Sequence, residues 1–108
     1  MNILKYEVGK SPEEQEVKNM LEELQKMVGG YIEVTGLENN KYLLISNLES
    51  KFNGMAPNRP ILCNDRVEDV IFGTFFICRS DGENFAGLLP EDIETIEKLG
   101  IIGGRIGE

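Results

Sequence analysis

The segment DVIFGTFFICR, residues 69–79, has the composition of a strand buried at the centre of a β-sheet. β-branched and aromatic side chains dominate it, and both kinds favour the pleated backbone of a strand. Gly73, in the middle, indicates a bulge or a close approach of another backbone. We therefore expect one central strand here, with the remaining elements arranged around it.

Three other segments and one short return are predicted to be extended. NILKYEV (2–8) is a predicted first strand, and YIEVTGL (31–37) and KYLLISN (41–47) are two more. The last two are separated by ENN, whose asparagines can accept a positive φ, so they should form an antiparallel hairpin. After the central strand, SDGEN (80–84) predicts a turn and FAGL a short returning strand.

A long helix is predicted over about residues 12–28. Ser11 can cap it, Pro12 suits the first helical position, and Glu14 completes a capping box. Gly29 and its neighbouring glycine can end the helix in a left-handed turn. Such a helix could connect the first strand to the next as a right-handed crossover between parallel strands. Its apolar stripe consists of Val17, Met20, Leu21, Leu24, Met27 and Val28.

The remaining segments complete an α+β prediction. PEDIETIEKLG (90–100) predicts a short helix that begins at a proline with acids in its first turn. LESKFNGMAPNRP (48–60) is a predicted long connection, and the tail IIGGRIGE (101–108) is expected to be loose or a short edge strand. We expect a single domain over residues 1–108 with one mixed, mainly antiparallel sheet. The long helix should pack on this sheet, followed by the short C-terminal helix.

Charge and composition narrow the classes of function. Nineteen acidic residues against eleven basic ones give a net charge of −8, which repels nucleic-acid backbones and argues against direct nucleic-acid binding. The same charge suits a protein that imitates DNA or docks on a basic partner, although it also serves solubility. No apolar run reaches the roughly 18 residues of a membrane span, and the first residues turn acidic too soon for a signal peptide. A cytoplasmic protein is expected.

Residues with catalytic or metal-binding chemistry form no recognisable motif. The chain has no histidine, the commonest general base and transition-metal ligand. Cys63 and Cys78 have no C-x-x-C spacing and are predicted to be small buried hydrophobes. The glycine pairs follow helices, the wrong polarity for a phosphate-binding loop. We predict no catalytic residues, no metal and no cofactor.

The connection contains the strongest candidate for a binding site. Pro57 and Pro60 fix φ on both sides of Asn58 and Arg59, so the dipeptide is presented at little entropic cost. An amide beside a guanidinium could hold a phosphate, a carboxylate or a base edge. In a second interpretation, Arg59 ties the loop to its own sheet by bonding carbonyls or an acid.

Three further residues are predicted to support a ligand. Arg66 supplies a second planar cation, and Thr74 stands beside Gly73. Tyr31 could offer a stacking face, although it could equally be an ordinary sheet residue. The predicted ligand-binding residues are Asn58, Arg59, Arg66, Thr74 and Tyr31.

Three segments together resemble a family of small proteins of unknown function. These segments are LEELQKMVGGYIEV (21–34), the pattern G-x-x-P-N-R ending at Arg59, and IFGTFFI (71–77). The similarity extends from residue 1 to about residue 97. Members often have a second proline before P-N-R, where this chain has Ala56, and the tail after Leu99 matches nothing in the family. The family is common in bacteriophages, plasmids and integrative elements of Gram-positive bacteria, so the resemblance implies an accessory protein in a bacterial host cytoplasm.

These observations lead to competing functional hypotheses. The first is a non-enzymatic counter-defence protein that sequesters a nucleotide-like immune signal. The second is an acidic inhibitor or DNA mimic that binds a host defence protein. A third is a metal-dependent nucleotide hydrolase that uses Asp65, Glu68 or Asp69. A fourth is a structural or regulatory dimer without a ligand; a homodimer is expected in any case, because short elements leave part of the sheet uncovered.

Overall fold

The computed structural model describes residues 1–106, and in this part of the chain eight strands and two helices are formed. The chain has an α+β fold in which every strand pair is antiparallel. The predicted single sheet is instead split into a six-stranded and a two-stranded sheet. The elements are β1 Asn2–Tyr6, β2 Glu13–Glu16, α1 Leu21–Val28, β3 Ile32–Leu37, β4 Tyr42–Asn47, β5 Pro57–Cys63, β6 Arg66–Phe72, β7 Phe75–Asp81, β8 Asn84–Ala86 and α2 Pro90–Leu99.

Strand β7 lies in the middle of the larger sheet, whose order is β2-β1-β7-β4-β3. Ile77 pairs with Leu4 of β1 on one side and with Leu44 of β4 on the other. The first four residues of β7 are fully buried. The far end of β7 pairs with β8, the predicted short return. A central strand was therefore correctly predicted, but it begins only at Phe75.

Gly73 divides the apolar run into strands of different sheets. Residues before it form β6 in the small sheet, and residues after it form β7 in the large one. Gly73 has a φ of 76°, which side-chain-bearing residues rarely adopt, and an added Cβ would lie 2.7 Å from the Met55 Sδ. The expected close approach is thus present, but to a side chain. An apolar run does not reveal a change of sheet, because apolar side chains suit a strand of either sheet, although only Ile71 is buried in the β6 part.

The prediction of a long helix is wrong in its first half. Residues 13–16 form the edge strand β2, which pairs with β1. The Val17 N–H donates to the Met1 carbonyl at 2.9 Å and extends this ladder. Helix α1 begins only at Leu21, after Met20, and has no side-chain cap. Local capping signals around Pro12 are overridden because pairing with β1 satisfies the same backbone groups within a sheet.

The expected parallel crossover is also wrong. Strands β1 and β3 are separated by β7 and β4, so they do not pair at all. The β3–β4 hairpin is confirmed, with pairs from Ile32–Asn47 to Leu37–Tyr42. Its turn places three successive residues at positive φ, including both asparagines expected there. Most paired strands are thus consecutive in sequence and joined by short turns.

The predicted long connection ends earlier than expected, because Pro57 already begins β5. Strands β5 and β6 form a hairpin whose turn residues, Asn64 and Asp65, have φ of 50° and 63°. Two successive positive φ values are typical of a tight two-residue hairpin turn. The C-terminal tail runs alongside β5. Ile102 forms an antiparallel bridge with Ile61, which agrees with the expected short edge strand. Residues 107–108 lie outside the described residues.

The two faces of the large sheet are covered by different elements. Helix α1 covers one face, where Leu24 and Val28 pack in a cluster with Phe76. The β5–β6 hairpin and α2 cover the other face, where Tyr6 and Phe75 stack with ring centroids 4.7 Å apart. Helix α2 is confirmed, with a proline in its first turn and Gly100 as a left-handed cap. No helix within residues 1–106 is long and apolar enough to span a membrane.

The two cysteines have different environments. Cys78 is fully buried in the sheet, and burial raises the pKa of its thiol to about 12. Cys63 is exposed at the turn of the β5–β6 hairpin, so its predicted burial is wrong. A register shift between Ile61 and Leu62 interrupts the alternation of side chains in β5, so Cys63 does not share the buried side of Ile61.

We expect Leu24→Ala to lower the free energy of unfolding by roughly 2–5 kcal/mol, because Leu24 is 2% exposed in the cluster beneath α1. Leu21→Ala is the matched control, since Leu21 is 58% exposed on the same helix. That variant should change stability by less than about 0.5 kcal/mol. Urea unfolding of both proteins measures the difference, and equal midpoints would show that the buried face of α1 is misassigned.

Thiol labelling of the native protein at neutral pH should modify Cys63 and spare Cys78, because only the former is exposed. Burial also keeps Cys78 protonated, and the thiolate is the reactive form. Mass spectrometry should find one label per native chain and two after denaturation. Two labels on the folded protein would mean that the sheet opens at β7.

Candidate functional site

Asn58 is part of the interior and not of an exposed loop. Its side chain is 1% exposed, and its Nδ2 donates to the Tyr6 carbonyl at 2.9 Å and to the Gly73 carbonyl at 2.8 Å. These two bonds join the beginning of β5 to the end of β1 and to the point where the chain changes sheets. Asn58 thereby fixes the position of the hairpin on the large sheet.

Arg59 is 2% exposed and makes its contacts within the same chain. Its guanidinium donates to the Lys10 carbonyl and the Asn58 Oδ1, and at 3.4 Å to the Glu7 carbonyl. It also lies 5.4 Å from the centre of the Tyr6 ring, within cation–π range. Burial raises the pKa of Tyr6 to about 12, although the nearby Arg59 charge opposes this shift. These contacts correspond to the second interpretation of the dipeptide, in which Arg59 ties its segment to its own sheet.

The other predicted ligand-binding residues lie in separate places. Thr74 is half-buried and follows Gly73, so it lies close to Asn58. Arg66 is exposed and pairs with Cys63 at the turn of the hairpin, at the opposite end from Arg59. Tyr31 is exposed just before β3, at the far edge of the large sheet. The structure therefore brings Asn58, Arg59 and Thr74 together, and it separates Arg66 and Tyr31 from them.

A large cavity lies elsewhere, between β3, the β5–β6 hairpin and the end of α2. It measures about 900 Å³, and we call it the acidic groove. The hairpin contributes Asp65, Glu68 and Asp69 to its lining, and Glu38 comes from the end of β3. Lys98 of α2 is the single cationic residue among the described lining residues. Acidic residues from two elements thus line a common opening.

Two further contacts influence the charge of the acidic groove. A hydrogen bond from the Lys51 Nζ, 2.9 Å from the Asp69 Oδ1, lowers the pKa of Asp69 and keeps this carboxylate ionised, while the same ion pair partly neutralises its charge. Lys98 is paired with Glu94 at 2.8 Å, which partly neutralises the cation. The carboxyl end of α2 also lies at the groove, and the helix dipole is negative there. The groove therefore favours a positively charged occupant.

The acidic groove continues into a smaller depression along β3. The depression measures about 100 Å³, and its lining includes Leu48 and Phe52. Thr35, Asp69 and Ile71 line both cavities, so the two form one trough. Phe52, in the turn that follows β4, is 90% exposed. Sequence reasoning missed this residue, although an aromatic between polar residues in KFN could have drawn attention to it.

The carboxylates proposed for a metal-dependent hydrolase are part of the acidic groove. Asp65, Glu68 and Asp69 come from the turn and strand of the same hairpin. Within residues 1–106, no group of three Asp, Glu or Cys side chains is arranged to hold a metal ion.

A comparison with known protein families assigns the chain to one of them. Residues 1–100 match a family described as a domain of unknown function, DUF3846, and the chain belongs to this family. The expected membership of an uncharacterised domain family is confirmed, and the match covers the segments that carry the resemblance. Neither a curated protein nor a solved structure matches the chain. The association with phages and plasmids stays a prediction.

We expect Arg59→Lys and Arg59→Ala to lower the melting temperature, because each leaves partly buried carbonyls such as that of Lys10 without the forked donor. Losing a charge-assisted buried hydrogen bond costs roughly 1.5–3 kcal/mol. Arg66→Ala is the control, since Arg66 is exposed and its loss should change stability by less than about 0.5 kcal/mol. An Arg59→Ala protein that melts together with the wild type would contradict the structural role.

Proposed function

We propose that this protein is a non-enzymatic binding protein whose acidic groove takes a lysine- or arginine-bearing segment of a partner protein. The single observation that supports this most is the cavity of about 900 Å³ with four acidic residues in its lining. Grooves with walls of one charge sign concentrate the electrostatic field and attract an oppositely charged partner. A cationic segment would therefore be both attracted and oriented.

The charge of the whole chain supports the same kind of partner. A net charge of −8 accelerates association with a basic protein and disfavours anionic ones. The groove also has apolar lining from Ile61, Ile71 and Leu99, which can contact the hydrocarbon stems of long cationic side chains. Electrostatic attraction and apolar contact would thus act at one surface.

In biological terms, we propose an accessory protein of a phage or mobile element that acts in the bacterial cytoplasm. The partner would be a host defence protein, which the acidic surface would inhibit. This corresponds to the second hypothesis from the sequence. It rests on the groove together with the resemblance to families carried by mobile elements.

Sequestration of a nucleotide-like signal is our second candidate. An anion would require accessible cationic donors. Arg59 lines a cavity of about 290 Å³ together with Arg105, but it is 2% exposed and its guanidinium already bonds carbonyls of its own chain, and Arg66 lies at the other end of the hairpin. The acidic groove is lined by four acidic residues, whose negative charges repel phosphates. These observations favour the acidic inhibitor, and the nucleotide hypothesis stays a prediction that the same experiment can test.

The test compares two variants with the same change in net charge. Glu38→Asn combined with Glu68→Gln removes two charges of the acidic groove, and asparagine suits the positive φ of residue 38. Glu14→Gln combined with Glu22→Gln removes two exposed charges from β2 and α1. The probe is a fluorescent peptide of alternating lysine and valine, and its Kd is measured by anisotropy.

The groove variant should bind the peptide roughly 2- to 30-fold more weakly, because each exposed charge pair contributes about 0.2–1 kcal/mol. The control should bind like the wild type, and added salt should weaken binding to every protein. Equal weakening in both variants would show that only the overall charge matters. Binding of ATP or a cyclic dinucleotide in place of the peptide would favour the nucleotide hypothesis instead.

A further inference from the structure

The outer edge of β3 is uncovered. The large sheet ends with this strand, and in residues 1–106 no strand pairs with its outer side. Within the proposed function, on which this step rests, we infer that the partner's cationic segment binds as an added strand along β3. Addition of a strand to an exposed edge is a recurrent way for proteins to recognise extended peptides.

The hydrogen-bond pattern of the hairpin identifies the groups that an added strand would meet. The Leu48 N–H donates to the Tyr31 carbonyl at 2.8 Å, so the backbone N–H and C=O groups of Tyr31 point toward β4. In antiparallel pairs, successive residues alternate between facing the partner strand and facing away from it. The pairing of β3 with β4 continues without a register shift from Ile32 to Leu37. The residues with outward N–H and C=O groups are therefore Ile32, Val34 and Gly36.

This edge has little of the protection that edge strands usually carry. Charged residues, prolines and bulges normally prevent unwanted pairing. Strand β3 has no proline, no bulge and a single charge, Glu33. The opposite edge, β2, has the sequence EEQE and is well protected by its charges. Of the two edges of the sheet, β3 is the one suited to pairing.

The surroundings of β3 define the chemistry of the added strand. The trough runs beside it, because Thr35 lines both of the cavities that form the trough. One end carries the exposed Phe52 and Leu48, and the other end carries Glu38 and Asp65. A matching segment would be extended, with apolar side chains toward Phe52 and lysine or arginine toward the acidic end.

A second copy of this chain fits the edge less well than such a segment. Two copies joined through β3 would bring Glu33 of each strand into the same small interface, and each chain carries a net charge of −8. Like charges on adjacent strands are destabilising. Charge complementarity therefore favours a cationic partner over self-association at this edge.

The first test is a proline substitution at the edge. Val34→Pro removes an outward N–H without removing a β3–β4 hydrogen bond, so the fold should be retained. Glu14→Pro is the matched control, because residue 14 has the corresponding outward position on β2, as the Val17–Met1 bond shows. Val34→Pro should weaken binding of the lysine–valine peptide by at least about tenfold. Thermal melts of both variants establish that they remain folded.

The second test changes the peptide and leaves the protein intact. One peptide carries backbone N-methyl groups at its lysines and the other at its valines, so that each blocks one side of the extended strand. One of the two should bind like the parent and the other at least about tenfold more weakly. Equal binding of both peptides would overturn strand addition.

The outcomes separate this inference from the function on which it rests. If both methylated peptides bind equally, and Glu38→Asn with Glu68→Gln still weakens binding, the acidic groove stands and strand addition is wrong. If no cationic peptide binds the wild type, the proposed function itself is wrong. If light scattering shows a dimer that Val34→Pro converts to the 12.1 kDa monomer, the occupant of the edge is a second copy. A mass that is equal in both proteins supports an edge left open for a partner.

Discussion

The attachment of the β5–β6 hairpin to the large sheet depends on the buried amide of Asn58. This side chain donates to the carbonyls of Tyr6 and Gly73, which belong to parts of the chain far apart in sequence. Neither carbonyl could be left unsatisfied in the interior without a cost of about 1–3 kcal/mol. Arg59 adds bonds to the same region and lies over the Tyr6 ring. Because the hairpin forms one wall of the acidic groove, these interior contacts position the surface that we propose to bind a partner.

Elements determined by local chemistry could be predicted from the sequence, and elements determined by distant pairing could not. The β3–β4 hairpin and α2 have short-range signals: asparagines that accept positive φ, and a proline in the first helical turn. Strand β2 has strong local signals for a helix, yet it pairs with β1, because the sheet offers its backbone a complete ladder. Strand β5 is an exception to this rule, because its partner β6 follows it immediately and yet its prolines favour a loop.

The sequence could predict which residues are chemically unusual, but not where they lie in the fold. The sequence identified Asn58 and Arg59 as unusual, and both have unusual roles, but these roles lie inside the fold. Burial of an arginine cannot be deduced from its neighbours in sequence, because its partners, such as the Lys10 carbonyl, come from another strand connection. The acidic carboxylates were noticed as possible metal ligands. Their arrangement as one wall of a groove required the hairpin geometry.

The two edge strands of the large sheet, β2 and β3, differ in a way that the need for solubility alone does not explain. Charged side chains prevent an edge strand from pairing with another chain, and β2 has three glutamates in four residues. If solubility were the only demand on the chain, the same solution would serve β3. Instead β3 presents Ile32, Val34 and Gly36 in an uninterrupted register, and the carboxylates lie beside the edge rather than on it. Acids placed beside an edge leave its backbone groups available while selecting the charge of what approaches. In the binding mode that we propose, the backbone of β3 attaches the partner and the carboxylates select its charge. The split of the sheet at Gly73 contributes to this proposed surface, because it places the hairpin next to β3.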